Sequence, residues 1–185
     1  VFMVKRFYIL KPEAGEGKIS MRHIKVLLSM GVPMGLQYSI TAIGSVILQS
    51  AVNGLGAVTV AAVTAGSKIS SFCVAVTDAL GATMATYCGQ NVGAGKLDRV
   101  RKGVKVATII GIIYSVIVFV FMIFIGGELP KLFIDASKTD VIEKARIFLL
   151  WNSGFYFALI FVNVWRNSIQ GMGFPMFAIL SGVCE

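Results

Sequence analysis

Apolar residues in this chain come in long unbroken runs, not at the alternating or three-to-four spacing of a half-buried element. Residues 26–67 contain no Asp, Glu, Lys, Arg or His, and 106–127 and 147–165 are likewise uncharged. A helix needs about 20 mostly apolar residues to cross hydrocarbon, so each run predicts a membrane span. The first run is long enough for two crossings, with NGLG (53–56) as the turn between them. Spans are expected at 32–52, 57–88, 105–127 and 147–169, with a fifth from 175 to 185. GVP (31–33) punctuates the start of the first, because proline suits a first helical turn. Residues 1–30 read as a cytoplasmic linker that ends in a short surface helix, and QGMGFP (170–175) reads as a tight turn. The fold class this implies is all-α, a polytopic membrane helix bundle.

Composition agrees with that pattern. Of 185 residues 56% are apolar and 14% charged, and the mean hydropathy is +0.81; a soluble domain needs more charge to cover its surface. The chain begins without Met and stops partway into an apolar run, so a longer parent protein is expected. The net charge of +8 is spread unevenly, with six of the 17 basic residues in 1–25 and five in 96–105. Residues 128–146 carry four basic and four acidic groups. Basic clusters beside spans stay cytoplasmic, and one orientation satisfies every loop: the linker and the 89–104 loop inside, 53–56 and 128–146 outside. A nucleic-acid partner would require a basic face on a soluble domain, and the runs leave no room for one. Cys73, Cys88 and Cys184 lack metal-ligand spacing, and His23 is the sole histidine, so neither a metal nor a cofactor is expected.

YCGQNVGAGKLDR (87–99) looks at first like a phosphate-binding loop. Such a loop reads G-x-x-x-x-G-K-[ST] after a strand. Here Gln90 and Leu97 occupy the first-glycine and hydroxyl positions, and a membrane helix precedes them. The bland reading suits these residues better: Gly89, Gln90, Gly93 and Gly95 form a structural turn at the membrane surface, followed by a basic tail. The longer run GATMATYCGQNVGAGKLDRVRKGVK (81–105) resembles the loop after the second helix of a lobe in multidrug and toxin extrusion (MATE) transporters. GVPMGLQYSITAIG (31–44), VAAVTAGSKISSF (60–72) and RNSIQGMGFP (166–175) match in the same order. The resemblance implies two six-helix lobes, with residues 31–185 as an incomplete C-terminal lobe and the N-terminal lobe of the same chain as its partner. It also implies a multi-pass protein of the plasma membrane, embedded in the lipid bilayer, that moves small drug-like molecules.

Polar residues inside spans need partners or a wet cavity. Asn152, Tyr156, Asn163 and Asn167 share an arc of about 60° on a helix, and Tyr38, Thr41, Ser45, Gln49 and Asn53 share one of about 120°. Either stripe can be interhelical hydrogen bonding or cavity lining. The resemblance favours lining, and groups of this kind suit amphipathic cations. Lys68 and Asp78 are the charges within a span, about 15 Å apart along the helix and too far round it to pair. Snorkelling or a fixed contact accounts for Lys68; structural bonding or ion coupling accounts for Asp78. One branch of the family carries acids where this chain has Thr41 and Leu159, which places a coupling carboxylate upstream. The expected function is efflux of cationic or amphipathic drugs by antiport with H⁺ or Na⁺. A flippase for lipid-linked saccharides is the alternative, and a membrane-embedded enzyme is less favoured because clustered acids, histidines or a Ser–Lys pair are missing from the spans.

Overall fold

In a computed structural model of the chain, residues 20–135, 137–174 and 176 are described. The expectations for 1–19, for most of the fifth span and for Cys184 fall outside them. Four helices dominate: α1 (Met21–Asn53), α2 (Ala57–Gly93), α3 (Leu97–Ile125) and α4 (Thr139–Gly171). Each is long and apolar enough to cross a membrane. At about 1.5 Å per residue the 33 residues of α1 span about 50 Å, so helices of this length overrun a hydrocarbon core of about 30 Å.

That overrun is where the helix bounds depart from the sequence reading. No break occurs between the surface helix and the first span, because α1 runs through Pro33, which is buried well inside it. Membrane helices tolerate internal proline when their neighbours satisfy the freed backbone. The 89–104 loop shrinks to three residues, Ala94, Gly95 and Lys96, so Gly89, Gln90 and Gly93 belong to α2 and, of the four residues read as a turn, Gly95 alone lies in it. Arg99, Arg101, Lys102 and Lys105 ride on the first turns of α3. The polar segment before the fourth span is helical from Thr139 onward, after a short 3-10 turn at Leu129–Leu132.

Glycine closes two of these helices in the same way. At the end of α2, Gly95 has φ +69°, and the Lys96 N–H returns to the Asn91 carbonyl at 2.8 Å. At the end of α4, Gly173 has φ +94°, and the Phe174 N–H reaches the Ile169 carbonyl at 3.3 Å. Both are left-handed caps that satisfy the last carbonyls of a helix. The N–H groups of residues 94–96 all bond back to α2, which leaves none of them pointing outward to cradle a phosphate.

The core lies between α2, α3 and α4. α2 and α4, which are not consecutive, share the most extensive interface; α3 covers both, and α1 touches α2 only lightly. Small residues let these backbones approach. A side chain at Gly171 would strike the backbone of Ala85, one at Gly66 would strike Phe148, and one at Gly111 would strike Ile160. Met84, Cys88, Ala107 and Val164 fill one end of the core, and Ile69, Met122 and Leu149 fill the middle. Tyr114 on α3 donates its hydroxyl to the Cys73 carbonyl on α2 at 2.9 Å, tying the third helix to the pair.

Candidate functional site

The polar stripe of α4 turns into α2. Tyr156 is 2% exposed and donates to the Ser70 carbonyl at 3.4 Å, and Asn152 donates to the Ser70 hydroxyl at 3.3 Å. Two turns further on, Asn163, 3% exposed, donates its amide N–H to Asp78 Oδ1 at 2.9 Å. Asn167 in turn donates to Asn163 Oδ1 at 2.6 Å. Gly81 makes room for this ladder, since a Cβ there would collide with both amides. Asp78 itself is exposed on the flank of α2, held from one side by Asn163. A charge at mid-membrane costs about 2.5–3.5 kcal/mol unless it is solvated or paired, and the amide offsets part of that cost.

The α1 stripe behaves differently. Tyr38 is 68% exposed, and Thr41, Ser45 and Gln49 also lie on the open side of the helix. Their bonds are internal: Thr41 to the Gln37 carbonyl at 3.2 Å, Ser45 to the Thr41 carbonyl at 3.0 Å, and Gln49 to Asn53 Oδ1 at 3.0 Å. Among the described residues the two stripes do not face one another across a common space. They are joined at one end through Gln170, which donates to Gln37 Oε1 at 3.1 Å. Gln37 and Ser70 are the site residues that the stripes passed over. Gln37 was legible as the residue one turn before Thr41, whereas Ser70 carried no signal before its α4 partners were placed.

Lys68 opens into a hollow of about 660 Å³ between the start of α2 and the 133–141 segment, shared with Asp135, Lys138 and Asp140. The Ser137 N–H donates to Asp135 Oδ1 at 3.1 Å and holds that carboxyl below its ordinary range, so the hollow keeps an anion beside its lysines at neutral pH. Nearby, Lys144 donates to Thr59 Oγ1 at 3.0 Å and links α4 to α2. Lys68 and Asp78 stay apart, each in its own surroundings. Among the described residues no group of three or more His, Cys, Asp or Glu is placed to hold a metal ion.

Comparisons with known proteins agree with this architecture. The probable multidrug resistance protein YpnP of Bacillus subtilis is 27% identical over 183 residues, which are 97% of this chain and 40% of that protein. The FAD transporter of Shewanella oneidensis is 20% identical over 159 residues, 86% of this chain and 35% of that one. A solved MOP superfamily transporter from Pyrococcus furiosus shares the fold with a TM-score of 0.79 at 21% identity, over 86% of this chain and 35% of its own. The chain thus spans between a third and two fifths of the length of these curated relatives. Residues 33–184 match the MatE family. With four membrane-length helices, a polar face on α1 and a glycine-seated α2–α4 pair, this multi-pass membrane chain belongs to the MatE family of membrane transporters.

Proposed function

We propose that the chain is part of a secondary transporter that exports cationic or amphipathic drug-like molecules in exchange for H⁺ or Na⁺. It would supply the C-terminal lobe of two that alternate access to a central cavity. The observation that carries this reading is the open polar face of α1. Tyr38, Thr41, Ser45 and Gln49 lie uncovered on a membrane-length helix, and such groups facing lipid are costly. A wet cavity opposite the second lobe relieves that cost and presents an aromatic ring, hydroxyls and an amide to cargo. Asn152, Tyr156 and Asn163 are bonded to α2 and brace the lobe behind that lining. The basic ends of α3 and the linker would lie in the cytoplasm.

Asp78 is the ion-coupling candidate within this lobe. Binding a proton or Na⁺ there would weaken the bond from Asn163 and so alter the α2–α4 contact. The competing placement is an acid in the other lobe. The experiment is dye efflux from vesicles carrying the full-length protein, with internal pH and Na⁺ followed together. Tyr38→Ala and Gln49→Ala should each slow efflux of a cationic dye about fivefold or more, the loss of one good contact. Unchanged efflux in both variants would falsify the cavity assignment. If Asp78→Asn leaves coupled efflux intact, coupling belongs to the other lobe.

Lys68 favours a second reading. Lys68 lines the 660 Å³ hollow with Lys138, opposite Asp135 and Asp140; its charge would pair with an anionic group of a cargo, and one relative is named for carrying FAD, which is anionic. Under that reading Lys68→Gln abolishes transport of an anionic probe and leaves the cationic dye untouched.

A further inference from the structure

Near the end of the bundle where α2 and α4 carry their glycine caps, the outer surface holds a cleft of about 450 Å³ between α3 and α4. Its walls are Arg101, Val104, Lys105, Thr108 and Ile109 from α3 and Trp165 from α4. Arg101 and Lys105 are one turn apart and stand on the same side of α3. Among the described residues neither makes an ion pair. Thr108 spends its hydroxyl on the Val104 carbonyl at 2.8 Å, so below the two cations the cleft is effectively apolar. Trp165 packs against Phe161 with ring centroids 5.5 Å apart, one turn further from the end of α4, and this continues the apolar track toward mid-membrane.

The geometry points to a binding site for a single anionic phospholipid, with its phosphate held by Arg101 and Lys105 and an acyl chain laid along Trp165 and Phe161. Each part of the cleft matches one part of that molecule. The Arg101 guanidinium offers a fork suited to phosphate oxygens, and Lys105 adds a second charge at the rim. Tryptophan is at home at the level of the headgroups. A zwitterionic lipid would bring its own ammonium to two unpaired cations, so charge selects the anionic lipid. A soluble anion would satisfy the cations but leave the apolar track uncovered. The site needs only that the chain crosses a bilayer, and it is independent of the cargo and the coupling ion.

The test is fluorescence quenching in vesicles containing the full-length protein and either dibrominated phosphatidylglycerol or dibrominated phosphatidylcholine at equal mole fraction. The Trp165 signal is taken as the difference between the native protein and Trp165→Phe. At about fivefold per cation, the relative binding constant obtained from the two quenching curves should favour the glycerol lipid by at least fivefold. The double variant R101Q/K105Q should remove the preference. R99Q/K102Q takes the same charge from the same helix outside the cleft and should keep it. Equal quenching by both lipids in the native protein overturns the site, as does a preference that survives R101Q/K105Q. A loss of equal size in both double variants also overturns it, because diffuse attraction to the basic helix end would then suffice.

Discussion

α1 and α4 have the same length, 33 residues, and each carries a polar stripe, yet only one of them is built into the core. On α4 the stripe is buried or half-buried, and Asn152, Tyr156 and Asn163 bond to α2; on α1 only Pro33 and Gln37 are buried. The difference lies opposite the stripes. α2 presents Ala62, Gly66, Ser70 and Gly81 to α4, all small and all buried. Backbones can then approach until amides and a phenol cross the gap. Along α1, nothing comes within 4 Å of where a Cβ would sit on Gly31, Gly35 or Gly44. A polar stripe therefore tells which groups stand together, and the smallness of the facing helix decides whether they bond across to it or stay open.

The largest effect that would break this contrast comes from the glycines. Gly171→Ala pushes a methyl into the Ala85 backbone, which cannot rotate away, and should cost about 1–3 kcal/mol of stability. Gly44→Ala meets open space and should be neutral or gain up to about 1 kcal/mol from helix propensity. Denaturant titration in mixed micelles compares the two; equal costs would mean that the α2–α4 contact is no tighter than the surface of α1. A smaller effect is expected from the amides. Asn163→Leu removes the donor to Asp78 and the acceptor of Asn167 and should cost about 1–2 kcal/mol, since single interhelical bonds are worth about 0.6 and at most about 1.7. Gln49→Leu should change stability by less than about 0.5 kcal/mol. The smallest is Tyr156→Phe, where a 3.4 Å bond to Ser70 is lost without loss of packing; about 0.6 kcal/mol or less is expected in the same titration.

The four long helices were legible because hydrocarbon imposes a length and forbids charge, and both constraints can be read along a single chain. The angular order of the α4 stripe was legible for the same local reason. The helix ends were not, and the GQNVGAG segment shows why. Gly89 and Gly95 look alike in sequence, but Gly95 is needed for its positive φ, and Gly89 for a close approach, with the Gly171 carbonyl 3.0 Å from where its Cβ would be. One demand is local and the other belongs to a helix about 80 residues away. Pro33 misled in the opposite direction: its ring suits a helix start, yet tertiary surroundings let the helix continue through it. Which stripe would be covered also depended on a neighbour, and Ser70 gained its meaning only once Asn152 and Tyr156 were set beside it.

The glycine contact between Gly89 and Gly171 carries a mechanical consequence. Two backbones in van der Waals touch, each ended by its own cap, leave little slack for sliding, so α2 and α4 are expected to move together as a single beam with α3 packed along it. α1 hangs from that beam by a three-residue strap, Gly54 to Gly56, and by the Gln37–Gln170 clasp. Movement in this lobe is cheapest where contacts are fewest, so α1 is the helix expected to shift first against that pair, and the Gln37–Gln170 bond the first tie to part.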